Sequence, residues 1–142
     1  MYIGFQHLHS TLAYLVLISL AIAVVLAATG LKAETYSKAQ ANSAKIGFIL
    51  SHFMLVVGLV LYFVSPLGFS NFSGEAMGDS LARLYLVEHP FVNILGIILI
   101  TIGYSRAKRQ ELASAKNKSV LIFFGLGLLL ILSRIPWSVW LA

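Results

Sequence analysis

Four blocks of apolar residues, interrupted only by small or isolated polar side chains, occupy most of this chain. The first runs from about Phe5 to Thr29 and stops at Gly30. The second runs from about Ala44 to Val64 and stops at Ser65-Pro66. The third runs from about His89 to Tyr104, and the fourth from about Ser119 to Ile135, ending at Pro136. A helix needs roughly 20 apolar residues to cross the hydrocarbon core, and a backbone in lipid must satisfy its own hydrogen bonds. The pattern predicts an all-α integral membrane four-helix bundle, a single transmembrane domain over residues 1–142 with no room for a fifth span.

The third block is short for a crossing. Upstream of it Asp79-Ser80 reads as a helix start, with Leu81, Leu84 and Leu86 following at loosely helical spacing. Pro90 fits two readings. It can open a new helix in its first turn, or it can kink one continuous helix by withholding an N–H from the Leu86 carbonyl.

Composition agrees with the pattern. Hydrophobic residues make up 59% of the chain and charged residues 11%, against about a quarter charged in soluble domains; the mean hydropathy is +0.91. The absence of cysteine excludes disulfides, iron–sulfur clusters and covalent haem attachment through thiols. Met1-Tyr2-Ile3-Gly4-Phe5 carries no basic stretch ahead of the first block, so that block is expected to be a mature span and not a signal peptide.

Charge sets an expected orientation. Lys32, Lys38, Lys45, Arg106, Lys108, Arg109, Lys116 and Lys118 flank the first and third connections, while Arg83 and Arg134 fall at the other end. By the positive-inside rule the eight-residue end is cytoplasmic and both termini lie on the outer side, with Trp137 and Trp140 at the outer interface. The net charge of +5 thus reads as topology, and no nucleic-acid partner is expected.

Histidines at positions 7, 9, 52 and 89 are the side chains that hint at chemistry, because a titratable group in hydrocarbon is costly. At about 1.5 Å per residue, His9 and His89 each lie roughly 12 Å outward of the middle of their spans. They can meet at one level. His52, seven residues beyond Lys45, is too deep to join them. His7 and His9 are two residues apart and project to nearly opposite sides of a helix, so at most one should face a given site. His89, Asn93, Gly96 and Gly103 form one stripe on span three, where glycines admit a neighbouring helix or a flat macrocycle.

Two histidines at one depth in a helical bundle point to a bis-histidine haem b, with His9 and His89 as axial ligands, Asn93 and Gly96 beside the ring, and Arg134 near the propionates. Arg83 is a weaker candidate for that last role, and Glu88 could fix an imidazole tautomer. Plainer readings stand beside these. His7 can bond only to headgroups or water. His52 can be satisfied by a hydroxyl or carbonyl of a neighbouring helix. Gly96 and the other span glycines can be packing residues, and Arg134 an interfacial anchor.

The pattern His7-Leu8-His9-Ser10, Ser51-His52, Leu61-Tyr62-Phe63-Val64-Ser65-Pro66, Glu88-His89-Pro90 and Ile102-Gly103-Tyr104-Ser105 resembles a family of small bacterial four-span membrane proteins labelled cytochrome b-like. The resemblance covers nearly the whole chain. It implies haem b binding and electron transfer in the inner (cytoplasmic) membrane, with His9, His52 and His89 as the positions carried over. A quinone or a redox protein is the expected partner, and a homodimer could supply a second ligand for His52. The rival expectation is a small accessory or scaffold subunit of a larger membrane complex, with no cofactor of its own.

Overall fold

Four long helices account for the blocks. In the computed structural model, which describes residues 1–141, these are α1 (Tyr2–Thr29), α2 (Lys38–Val64), α3 (Ser80–Arg109) and α4 (Ala113–Ser133). Each is long and apolar enough to cross a membrane. A short helix, Trp137–Trp140, follows α4, and no strand occurs among the described residues.

Helices α2 and α3 begin ahead of their apolar blocks because side-chain caps set their first turns. Ser37 and Gln40 form a reciprocal capping box, at 3.1 and 2.9 Å, that starts α2 six residues ahead of its first sustained apolar residue. Asp79 accepts from the Ala82 N–H at 2.7 Å and caps α3 where the sequence placed a helix start. At the other extreme α4 stops at Ser133, two residues short of the expected boundary.

Pro90 lies inside α3, and the chain accommodates it without a break. Residues Leu84–Glu88 form a π-helical turn, in which the His89 N–H reaches back to the Leu84 carbonyl. The Leu86 carbonyl, deprived of an α-helical N–H by the proline ring, accepts instead from the Tyr62 hydroxyl of α2 at 3.0 Å.

The core runs down the middle of the bundle through Leu20, Ala23, Ala27, Ile100, Val120 and Phe124. The pairs α1–α2, α3–α4 and α1–α4 pack closely, and α2–α3 less so. Glycine permits a close crossing of α3 and α4. A Cβ on Gly96 would lie 3.0 Å from the Gly127 carbonyl, and one on Gly127 would lie 2.7 Å from the Gly96 carbonyl. At the basic end the buried Asn117 side chain donates to the Gly30 carbonyl at 3.0 Å, so the first connection rests on α4.

Candidate functional site

At the end of the bundle opposite the basic connections, residues of all four helices line a cavity of about 430 Å³. Its floor is apolar, with Val16, Leu17, Met54, Leu55 and Ile97. Its upper wall is polar and aromatic, with Gln6, Tyr62, Tyr85 and Trp140. A concave site of this size, apolar with a few polar groups, suits a small organic ligand.

His9 from α1 and His89 from α3 face each other across it. Their ring centres are 6.1 Å apart and their planes meet at 68°. The two rings reach one level because His9 sits about two turns into α1 and the π turn delivers His89 to the same depth on α3.

The surroundings of His89 fix which nitrogen is free. Its Nδ1 lies 2.7 Å from the Arg134 carbonyl. A carbonyl only accepts, so Nδ1 carries the proton of the neutral ring and Nε2 keeps its lone pair. That arrangement is the usual support of a metal-bound imidazole. Asn93 borders the cavity, but its amide donates to the His89 main-chain carbonyl at 2.6 Å; it braces the turn that carries the imidazole. His9 is less provided for. Its Nδ1 is buried and has no partner within the protein, a situation that costs about 1–3 kcal/mol if nothing fills it. Gly58 of α2 makes room for this ring, since a Cβ there would lie 3.3 Å from His9 Cε1.

Several expected site residues lie elsewhere. His52 is outside the cavity, with Nδ1 donating to the Phe48 carbonyl at 2.7 Å and Nε2 3.1 Å from Thr101 Oγ1, whose one hydroxyl proton serves either that nitrogen or the Ile97 carbonyl at 2.8 Å. Its ring packs against Phe48 at 4.2 Å. Gly96 faces α4, not the cavity; the glycine beside an imidazole is Gly58. The Arg134 side chain turns away to Glu88, at 3.4 Å, and Glu88 also holds Arg83 at 3.0 Å. Arg134 therefore contributes through its main-chain carbonyl, and Glu88 is occupied by arginines and not by an imidazole. His7 departs from the opposed-face expectation. It is exposed yet borders the same cavity, which wraps around the outer end of α1 and so meets both sides of that helix.

The donor set constrains what the cavity can hold. Among the described residues no group of three or more His, Cys, Asp or Glu side chains is placed to hold a metal ion, whereas bare metal ions in proteins generally need three or four protein donors. A macrocycle that brings its own equatorial nitrogens needs only two axial ones. The 6.1 Å between the two ring centres is compatible with one metal held by both imidazoles at bonds of ~2 Å, and it is also an ordinary spacing for a T-shaped ring pair. The orphaned His9 Nδ1 lies on the edge of the ring that packs against Gly58 of α2, so only the opposite nitrogen, Nε2, is left for a ligand in the cavity.

Comparison with known proteins gives no match: no family model, no curated protein and no solved structure is similar to this chain at a significant level.

Proposed function

We propose that this chain is a b-type cytochrome-like membrane protein that holds haem b between His9 and His89. The observation that carries the reading is the facing pair of imidazoles, 6.1 Å apart on the wall of a mostly apolar cavity, with one ring already oriented by a carbonyl. When bound, haem supplies one-electron redox chemistry. The residues of the chain do the rest. Donation from His89 Nδ1 to the Arg134 carbonyl makes Nε2 a stronger donor and holds the ring in place. Gly58 leaves room for the His9 ring, and Leu17, Met54, Leu55 and Ile97 give the site an apolar floor. Burial of this kind is one of the means by which a protein sets a haem potential.

The resemblance to small bacterial four-span proteins places the chain in the inner membrane in this reading, and the distribution of lysine and arginine supports both termini and the cavity lying on the outer side. A quinone or a redox protein would then exchange electrons from that side. His52, held by the Phe48 carbonyl and in contact with Thr101 away from the cavity, is a structural residue in this reading.

Purified full-length protein tests the proposal directly. Reduced-minus-oxidised spectra should show a low-spin b-type α-band, retained or restored by added haem. Protein that stays colourless after reconstitution with haem would overturn the reading in favour of an accessory subunit.

A further inference from the structure

The basic end carries a second concavity, independent of the cavity and of the reading given to it. A notch of about 220 Å³ lies between the ends of α3 and α4. Arg106 and Lys118 stand on its rim, Gln110 and Ser119 line its wall, and Ile122 and Phe123 form its floor. The notch is built, not incidental. Ser119 Oγ donates to the Gly103 carbonyl at 3.1 Å and joins the two helices beneath it. Gly103 lets Phe123 in, because a Cβ there would come within 2.5 Å of the Phe123 Cβ. Phe123 in turn lies under the Arg106 guanidinium, 5.5 Å from its ring centre.

The charges at this notch have no protein counter-ion. Among the described residues the ion pairs are those of Glu88, at the far end of the molecule. Lys116 is committed to the Ala107 carbonyl at 2.9 Å. Arg106 and Lys118 are both exposed and unpaired, and the acidic residues at this end, Glu34 and Glu111, are exposed and pair with neither.

Two exposed apolar tracks descend from the notch along the helices. On α4, Ile122, Leu126 and Leu129 follow one another at helical spacing; on α3, Ile102 and Leu95 lie below Arg106. A cationic rim above an apolar floor and two greasy tracks has the shape of an amphiphile with an anionic head. We infer that this notch binds an anionic phospholipid, with the phosphate between Arg106 and Lys118 and an acyl chain against Ile122 and Leu126. The shared recognition chemistry is that of a phosphate oxyanion; the apolar floor selects the lipid-borne phosphate over the free ion. Basic pockets between spans on the cytoplasmic side take such lipids in general terms.

Native mass spectrometry of the full chain in detergent, titrated with phosphatidylglycerol, tests this. The wild-type protein should retain phosphatidylglycerol in preference to phosphatidylcholine. Arg106→Gln with Lys118→Gln should weaken retention about 25-fold, roughly fivefold per cation, while Lys108→Gln with Arg109→Gln should change it less than about twofold. If the first pair does not fold, Lys118→Gln alone, an exposed substitution, should show the fivefold loss, and Lys118→Arg should show none. Equal retention of phosphatidylcholine, equal loss in both glutamine pairs, or displacement of the lipid by millimolar inorganic phosphate would each overturn the assignment.

Discussion

The hydrogen bond from Tyr62 to the Leu86 carbonyl is present because Pro90 removes that carbonyl's helical partner, and this dependence can be measured. Tyr62→Phe deletes one oxygen and keeps the ring against Phe63 and Phe69. Leu86 is only 2% exposed, so its carbonyl would find no easy replacement. Interhelical side-chain bonds in membranes are worth about 0.6 kcal/mol on average and up to about 1.7, and a buried acceptor left unpaired costs about 1–3. The expected loss is therefore about 1.5 kcal/mol, close to a tenfold shift in the unfolding equilibrium. In a Pro90→Ala background the main-chain N–H that Leu86 lacks is restored, and Tyr62→Phe should cost no more than about 0.5 kcal/mol. The four proteins form a cycle with a coupling of about 1 kcal/mol, read from helical circular dichroism during titration of micelles with dodecyl sulfate. A coupling below about 0.3 kcal/mol, within the scatter of independent sites, would refute the idea that the hydroxyl compensates for the proline.

Other substitutions probe the cavity and the crossing. His9→Ala and His89→Ala should each abolish the low-spin haem signal, whereas His52→Ala should keep it, because the His52 ring is held by the Phe48 carbonyl away from the cavity; optical spectra of the three variants decide this. Gly58→Leu should crowd His9 and lower haem occupancy severalfold at unchanged helix content, as read by pyridine haemochrome and circular dichroism; normal occupancy would show that the clearance is irrelevant. Gly127→Val should separate α3 from α4 and cost about 1–3 kcal/mol, detectable in the same micelle titration. Glu88→Gln breaks ion pairs whose side chains are about a third to nearly half exposed, so its effect on stability should stay below about 1 kcal/mol and shrink in high salt.

Four helices and their rough limits were legible because hydrophobic blocks of crossing length admit few other folds. The meeting of His9 and His89 was legible too, since counting residues from the middle of each span gives depth directly. What the sequence hid was direction and competition. The stripe through Gly96 was visible, but nothing in one helix says which neighbour it faces, and α4 claimed it through Gly127. The equivalent clearance at Gly58 looked like one span glycine among several. Arg134 was marked for its charge, yet its carbonyl is the group that touches the imidazole; main-chain roles of this kind carry no residue signature. The continuity of α3 through Pro90 depended on a π turn and on a tyrosine from another helix, and neither follows from the local pattern.

The partition of the imidazole pair between helices has a consequence for assembly. Each half of the chain is a hairpin: α1 and α2 bring one ring together with its glycine clearance, while α3 and α4 bring the other together with the carbonyl that orients it. Neither hairpin alone owns a two-point clamp. A chain severed in the segment between Pro66 and Gly78 would regain the clamp only by lateral docking of its two fragments in the bilayer, so recovery of a paired-ring signature after mixing would report that docking step itself.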